Sequence, residues 1–307
     1  MSLKYSFQSN TRAYLSLIVV TWGWGCNAIL GKIAVGEISP MLLVSLRWLG
    51  LLILLLVFMH RQLIKDWPVL KQHLGYFALM GTMGFTLFNA LFYLAAHTTS
   101  AINIGIIQGA IPVFVFLGTY LFLRARITAM QIFGAGITLV GVVVVATKGQ
   151  FSQLQDLDLS RGDMLMLIAC FCYAAYSIGL TRRPVVSPFS LLTMLSGFAF
   201  LASLPLLLIE VANQGFEMPT TTGWLIAGVA IVLPSLVSQF LFIQAVGLVG
   251  AARASMFVNL VPIFAAIMAV FYLGEQFEGF HAVSLGLVLS GIALAELGKG
   301  NTALSKV

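Results

Sequence analysis

The sequence predicts an all-α membrane protein with ten transmembrane helices arranged as two inverted five-helix repeats. Three observations lead to this fold class: an extreme composition, ten long apolar stretches and an internal duplication. Of the 307 residues, 60% are hydrophobic and 8% are charged, and the mean hydropathy is +1.02. Soluble domains are typically about 45–50% apolar and about 25% charged. A water-soluble fold is therefore excluded, and the short loops leave no room for a soluble catalytic domain.

The basic residues are distributed in a way that argues against nucleic-acid binding, despite a net charge of +6. DNA-binding faces gather Lys and Arg on one surface, whereas here they stand singly or in pairs between apolar spans. We therefore expect no nucleic-acid partner. Three cysteines, Cys26, Cys170 and Cys172, lie within apolar spans. Their odd number and setting favour small packing residues over a disulfide or metal site, and we expect no cofactor.

Ten stretches come near the roughly 20 residues that a helix needs to cross a bilayer. The first follows Lys4 and Arg12, but it is too long for the apolar region of a signal peptide and has a counterpart later in the chain. We interpret it as a structural helix. The helices are predicted near residues 13–35, 40–59, 74–96, 100–123, 129–147, 161–182, 188–211, 222–248, 250–273 and 280–297.

The Lys and Arg residues also predict the orientation, because they are retained in cytoplasmic loops. With the N-terminus inside, 12 of the 16 fall in cytoplasmic segments and two in outer loops. The remaining two, Lys32 and Arg47, fall within spans. Both termini are therefore predicted to be cytoplasmic.

The chain repeats itself at an offset of 150 residues. Prolines and glycines match at this one register, in the pairs Pro112–Pro262, Gly136–Gly286 and Gly141–Gly291. Residues 1–150 and 151–307 are thus predicted to be two five-helix domains. Because five is odd, the second half enters the membrane upside down relative to the first. Inverted repeats of this kind can open a midplane site first to one side and then to the other.

Several motifs resemble one known family over essentially the whole chain. The second half contains Pro262-Ile263-Phe264-Ala265-Ala266 and Leu273-Gly274-Glu275, and the first half contains Pro112-Val113-Phe114 and Trp22-Gly23-Trp24-Gly25. These segments resemble the drug/metabolite transporter superfamily, in its bacterial EamA-like branch of ten-helix permeases. One departure is Ala125, which stands where the first repeat would carry a glutamate.

The resemblance implies a secondary active transporter, specifically an exporter of small metabolites such as amino acids across the bacterial inner membrane. Its implied mechanism is alternating access, and its implied partners are a small-molecule substrate and the lipid bilayer. Proton coupling and a homodimer stay open, as does a broad-specificity drug efflux permease. A channel and a membrane-embedded enzyme are weaker alternatives. The sequence has no HExxH, no paired aspartate cluster and no GxSxG nucleophile, so we do not expect an enzyme.

Two prolines and a set of polar side chains predict where a substrate binds. Pro112 and Pro262 fall near the middle of their predicted helices, where each ring removes a backbone hydrogen bond and bends the helix. Because freed carbonyls in lipid need protein, water or ligand partners, both bends are predicted to face a central cavity, the alternative being a packing kink. Asn89 and Gln239 align at the same offset, and amides facing lipid are costly. The predicted substrate-binding residues are Trp24, Asn27, Asn89, Tyr93, Gln108, Tyr173, Tyr176, Gln239 and Asn259.

Each of these polar residues has an alternative role in an interhelical hydrogen bond that only holds the bundle. Three further residues are candidates for charge or coupling roles. Arg47 lies about 10 Å inside its helix, where it could hold a bend, pair with Glu37 or attract a substrate carboxylate. Lys32 lies nearer a helix end, and His97 is the near-membrane group that titrates near neutral pH. No Asp or Glu lies at the centre of any predicted span.

Overall fold

The computed structural model describes residues 2–123, 128–149, 160–249, 257–258 and 260–297. The regular secondary structure of these ranges is helical, with no β-strand among the described residues. The α-helices are α1 (Ser2–Ile33), α2 (Pro40–Leu70), α3 (Leu74–Met80), α4 (Phe88–Ala96), α5 (Ala101–Gln108), α6 (Ile111–Leu123), α7 (Ala129–Ala146), α8 (Arg161–Gly179), α9 (Pro188–Gln214), α10 (Thr221–Ala230), α11 (Ser238–Val249), α12 (Val261–Leu273) and α13 (Gly279–Leu297).

Six helical runs in the described ranges are long and apolar enough to cross a membrane. One of them, Pro40–Ala96, has 57 residues and joins α2, α3 and α4 through a 3₁₀ turn at Lys71–His73 and a π-helical segment. Three shorter apolar helices accompany them at Ala129–Val145, Val261–Leu273 and Gly279–Ala295. The other five long runs are Arg12–Ile33, Ala101–Phe122, Arg161–Gly179, Pro188–Gln214 and Thr221–Ala245.

The second helix continues well beyond the predicted end at residue 59, because α2 ends at Leu70. Its last turns are polar, and Gln62 Nε2 donates to both carboxylate oxygens of Asp66, 3.2 Å away, at the i to i+4 spacing of helix neighbours. Hydropathy reports where apolar residues stop, whereas the backbone hydrogen bonds of a helix continue into water. The prediction for this boundary was therefore wrong.

Two π-helical segments interrupt the helices at equivalent places. They span Gly81–Leu87 and Ile231–Val237, so their ends are 150 residues apart. Gly84 and Pro234 occupy the same position in the two segments. Glycine destabilises a regular helix through its backbone freedom, and proline through its missing N–H. Two different residues therefore weaken the α-helix at one register, and π-helical turns are rare and frequent at functional sites.

Helices of one half pack against helices of the other half, and these contacts come in equivalent pairs at the 150-residue offset. α1 packs against α11 and α12, and α8 packs against α4 and α6, which precede α11 and α12 by 150 residues. α7 packs along α13, its own equivalent.

The glycine contacts where α7 crosses α13 also recur at the 150-residue offset. A Cβ atom on Gly291 would lie 2.5 Å from the Gly134 carbonyl oxygen, and one on Gly141 would lie 2.9 Å from the Ser284 carbonyl oxygen. The second contact pair is the first with each residue moved by 150 positions. A contact that a residue of the first half makes with the second half is therefore repeated by the equivalent residue of the second half with the first half.

Carboxylates tie α2 and α9 together at both ends. Both Glu210 oxygens, near the end of α9, accept from the Met41 backbone N–H at 3.2 Å in the first turn of α2. Asp66, near the end of α2, accepts from the Ser187 backbone N–H at 3.0 Å at the start of α9. The first N–H groups of a helix lack intrahelical partners and favour negative charge nearby. Each helix of this antiparallel pair thus supplies the acceptor that the other needs.

We expect the substitution Glu210→Ala to lower the free energy of unfolding by about 1–3 kcal/mol, because a buried N–H loses a charged acceptor. Thermal unfolding of the purified protein in detergent measures this. Glu217→Ala is the matched control, since Glu217 is exposed on the following loop, and a surface change of this kind is usually worth no more than about 0.5 kcal/mol. Equal melting temperatures for the two variants would contradict the capping role.

Candidate functional site

A cavity of about 50 Å³ lies between α1, α2, α4, α8 and α11, where α5 ends and α12 begins. Such a volume holds only a few water molecules. Three pairs of its lining residues are 150 positions apart. The described lining residues are Trp24, Asn27, Arg47, Gly84, Phe88, Asn89, Gln108, Gly109, Ile111, Tyr173, Gln239, Val258, Val261 and Pro262.

Breaks in the helices bring backbone to the cavity wall. α5 ends at Gln108, and the N–H groups of Gly109 and Ala110 donate at 2.9 Å to carbonyls three residues earlier, which tightens the chain before α6 begins. Pro112 is the second residue of α6, and Pro262 is the second residue of α12. Proline is well tolerated in a first turn because its missing N–H would have no partner there. The structure thus starts new helices where the sequence predicted bends within continuous ones.

Pro262 lines the cavity. The side chain of Pro112 and all of Asn259, a predicted substrate-binding residue, lie outside the part of the chain that the structure describes.

Arg47 is the charged residue in the described cavity wall, and its side chain is only 3% exposed. Its Nη1 donates to Asn27 Oδ1 at 2.9 Å and to Asn89 Oδ1 at 2.7 Å. The same nitrogen donates to the Tyr93 hydroxyl at 2.8 Å, and that hydroxyl donates to Asn27 Oδ1 at 3.1 Å. On its other side, Nε donates to Ser235 Oγ at 2.5 Å. Four neutral acceptors therefore fix the guanidinium.

Two of these acceptors also bond the π-helical segments. Asn89 Nδ2 donates to the Phe85 carbonyl at 2.7 Å, and Ser235 Oγ donates at 2.8 Å to the Ala230 carbonyl five residues earlier. The next residue along α2, Trp48, stacks on Phe85 with ring centroids 4.3 Å apart. Arg47 thus joins the two irregular helix turns, one from each half of the chain, beside the cavity.

The Nη2 nitrogen of Arg47 has no hydrogen-bond partner among the described residues. It is not one of the fully buried polar atoms that lack a partner, and Arg47 lines the cavity. No hydrogen bond of Arg47 goes to a carboxylate in the described part of the chain. The pairing with Glu37 that the sequence allowed is not formed, because the Glu37 carboxylate instead accepts from the Thr220 hydroxyl. That carboxylate joins a loop of the first half to a loop of the second.

Two segments of the sequence match one known family. Residues 11–147 and residues 160–297 each match the EamA-like transporter family. The chain belongs to the EamA-like transporter family. The resemblance found in its motifs is thereby confirmed, and the family indicates a multi-pass membrane transporter rather than an enzyme.

Relatives of this EamA-like transporter extend over nearly its whole length. The Bacillus subtilis protein named uncharacterized transporter YyaM is 28% identical over 92% of each chain. An uncharacterized transporter of Archaeoglobus fulgidus is 27% identical over 93% of this chain and 97% of its own. The Escherichia coli K12 protein named uncharacterized inner membrane transporter YedA is 23% identical over 90% of this chain and 88% of its own.

A solved crystal structure of a protein shares the fold of this EamA-like transporter. It aligns with a TM-score of 0.61 at 17% identity, covering 93% of this chain and 98% of its own.

The EamA-like transporter has further polar groups at the cavity that lack strong hydrogen bonds within the described ranges. Within the described ranges, neither the Gln239 amide nor the Tyr173 hydroxyl has a hydrogen-bond partner. Gln108 Nε2 makes one long contact of 3.5 Å with the Ile104 carbonyl. Trp24 lies against Phe242 with ring centroids 5.1 Å apart. Eight predicted residues therefore meet at the cavity, namely Trp24, Asn27, Arg47, Asn89, Gln108, Tyr173, Gln239 and Pro262.

Two predicted tyrosines lie behind the cavity wall. The Tyr93 hydroxyl accepts a hydrogen bond from Arg47, and Tyr93 is not among the described residues that line the cavity. Tyr176 is buried against Gly84 and Phe85, with ring centroids 5.6 Å apart in the second contact. Residue type alone does not distinguish the two positions, because an aromatic ring fills a core and a binding wall equally well.

Lys32 and His97 lie away from the cavity, where α1 and α4 end. Lys32 Nζ donates to the carbonyls of Ala96 at 2.9 Å and Thr99 at 3.0 Å, the acceptors left over at the end of α4. His97 is exposed just beyond α4, where partial burial of the ring and then the nearby Lys32 ammonium lower its pKa. Neutral imidazole is therefore the prevailing form near pH 7.

Glu275, which belongs to the family motif, has a contact that its position in the sequence did not predict. Its carboxylate accepts from the backbone N–H groups of Ala101 at 2.8 Å and Ile102 at 3.0 Å, at the start of α5. The second half thus caps a helix of the first. Ala125, the equivalent residue of the first half, has no carboxylate with which to return this contact.

Other cavity residues were missed because they are apolar or have no side chain. These residues are Gly84, Phe88, Gly109, Ile111, Val258 and Val261. The 150-residue register could have found some of them, because it pairs Ile111 with Val261 and Gln108 with Val258.

Proposed function

We propose that this protein is a secondary active transporter that exports small metabolites such as amino acids across the bacterial inner membrane by alternating access. One observation carries the proposal: the cavity is lined by residue pairs 150 positions apart. Asn89 and Gln239 form one such pair, and Gln108 with Val258 and Ile111 with Val261 form the others. A cavity shared in this way by two equivalent halves can open to either face when the halves exchange conformations.

The helix lengths support ten membrane crossings. The 57-residue run Pro40–Ala96 is about 85 Å long at 1.5 Å per residue, against a hydrocarbon core of about 30 Å. It therefore counts as two crossings. Five other long runs and three shorter apolar helices bring the number to ten. Five crossings then fall in residues 1–150 and five in 151–307, with both termini in the cytoplasm.

The exchanged packing supports an inverted repeat. α1 contacts α12 as α8 contacts α6, and the crossing of α7 with α13 maps onto itself when each residue is moved by 150 positions. Such reciprocity is expected when two copies of one unit are related by a two-fold axis. In alternating access, each half would adopt the conformation of the other half. The overall fold would then stay the same while the two halves exchange roles.

The cavity also bears on the alternative of a broad drug efflux permease. A permanently cationic drug needs carboxylates or aromatic faces as counter-interactions. The described cavity wall has the aromatic rings of Trp24, Phe88 and Tyr173 but no Asp or Glu, and Arg47 would repel a cation. This charge favours zwitterionic, neutral or anionic metabolites.

Counterflow in proteoliposomes tests the transport function. Vesicles containing the purified protein are loaded with a mixture of unlabelled amino acids, and entry of the same labelled amino acids is followed. We expect transient accumulation of at least one label above that in protein-free vesicles, because a carrier exchanges solute across its alternating site. Absence of accumulation for every amino acid would contradict amino-acid transport. Discrete single-channel currents in planar bilayers would favour a channel.

A further inference from the structure

Arg47 lines the cavity, and its Nη2 group has no hydrogen-bond partner in the part of the chain that the structure describes. We propose that the Nη2 group of Arg47 is the anchor for the transported substrate and that it takes a carboxylate, so the substrate is a small organic acid whose amino group is dispensable. The inference rests on the proposed transport function and deepens it.

The Arg47 charge is surrounded by neutral groups. An arginine keeps its positive charge in proteins, and a buried charge is costly unless it is paired. Arg47 is 3% exposed, and its Nε and Nη1 meet only the dipoles of Asn27, Asn89, Tyr93 and Ser235. Its Cζ also lies 5.0 Å from the centroid of the Trp48 ring, which carries no net charge. Net negative charge is therefore missing at this site within the described part of the chain. A substrate carboxylate would provide it.

The free end of the guanidinium is already oriented. The two N–H groups of Nη2 make no hydrogen bond within the described ranges, while the bonds from Nε and Nη1 hold the guanidinium plane in place at the cavity wall. Charge-assisted bonds from a guanidinium to a carboxylate are short and roughly twice as strong as neutral ones. Because the donors are held in place before binding, little side-chain entropy remains to be lost on binding.

The rest of the described cavity wall offers aromatic rings but no carboxylate to an amino group. None of the described lining residues is Asp or Glu, so an ammonium group would find no anionic partner there. Phe88 and Pro262 offer apolar surface instead, and Gln239 offers an unpartnered amide that can bond an amine or a hydroxyl alike. We therefore expect a 2-hydroxy acid to bind in the cavity in place of the corresponding amino acid.

The charge is not duplicated in the second half. At the 148-residue offset that aligns Pro40 with Pro188, Arg47 corresponds to Leu195, which is buried and apolar. The site thus takes one carboxylate, held toward the first half. The competing explanation is that Arg47 only ties the two π-helical segments together, in which case ligand charge would not matter.

Matched sets of compounds separate these explanations. The probes are alanine, lactate and alaninamide; leucine, 2-hydroxyisocaproate and leucinamide; and phenylalanine, phenyllactate and phenylalaninamide. Each compound competes with a transported label in proteoliposomes, and its apparent Kd is measured by thermal shift of the purified protein. For at least one set we expect both acids to bind at least about tenfold more tightly than the amide. Arg47→Gln should reduce that ratio to near one.

Each result either supports or overturns a stated part of the proposal. Amides that bind as tightly as the acids, or an acid preference that survives in Arg47→Gln, would overturn the carboxylate site but leave transport standing. An amino acid that binds where its 2-hydroxy acid does not would overturn the dispensable amine. Transport of none of the nine compounds, labelled individually, would overturn both proposals. If Arg47→Gln does not fold, the ratio of acid to amide in the native protein decides, since it needs no variant.

Discussion

The substitution Gly134→Leu is expected to prevent the folded protein from accumulating. A Cβ atom at this position would overlap the Gly291 carbonyl oxygen and lie 2.6 Å from the Ala295 backbone nitrogen. Backbone atoms of a packed helix cannot yield as a flexible side chain does, so α7 and α13 must separate. Overpacking typically costs about 1–3 kcal/mol and occasionally more, and we expect the upper end here. Size-exclusion chromatography of detergent extracts, followed by a melting curve, measures the loss.

Gly136→Leu is the matched control for this prediction. Gly136 lies two residues along the same helix, and a Cβ atom added to it would meet no atom within 4 Å. The added side chain would face outward, and leucine has the higher helix propensity. We expect the control to melt at or above the temperature of the native protein. Equal losses for the two variants would show that the small residues of α7 do not set the approach of α13.

The substitution Asn89→Leu is expected to reduce transport strongly and to destabilise the protein. Asn89 is 3% exposed; it accepts from Arg47 Nη1 at 2.7 Å and donates to the Phe85 carbonyl at 2.7 Å. Hydrogen bonds to charged groups are worth about 1.5–3 kcal/mol, and the orphaned carbonyl adds to the loss, so we expect a cost of about 2–4 kcal/mol. Transport should fall at least about tenfold, the change that about 1.4 kcal/mol produces, because Arg47 loses one of the acceptors that hold it at the cavity.

Gln239→Leu is the natural comparison, because Gln239 stands at the equivalent position of the second half. Its amide has no hydrogen-bond partner in the described ranges and faces the cavity. We expect its stability to change by less than about 1 kcal/mol, while the apparent Kd for substrate rises. A larger loss of stability in Gln239→Leu than in Asn89→Leu would contradict the assigned roles.

The two amides differ in the structure although the repeat register makes them equivalent. Because an amide side chain that faces lipid is costly in free energy, the sequence predicted that Asn89 and Gln239 lie in the protein interior. The 150-residue offset paired the two residues. One amide holds Arg47 and the other is free toward the cavity, because Arg47 belongs to the first half only. The presence of Arg47 in α2 thus gives Asn89 and Gln239 different contacts, although the repeat makes their positions equivalent.

The partners of Arg47 also could not be predicted from the sequence. Its depth in an apolar helix predicted contact with protein or water, but the sequence left three roles open for it. Glu37, near in sequence, bonds Thr220 instead. The residue that bonds Arg47 Nε, Ser235, is 188 positions away. No local pattern points to a partner at that separation.

The sequence by itself determined the membrane class, the helical content, the family and the 150-residue register, because hydropathy and repetition are properties of residue order. Tertiary structure alone decided where helices break into π turns, which carboxylate caps which helix, and which end of Arg47 is free. Those features depend on hydrogen bonds about 3 Å long between helices remote in the chain. Only the packing of one half against the other brings such groups within reach.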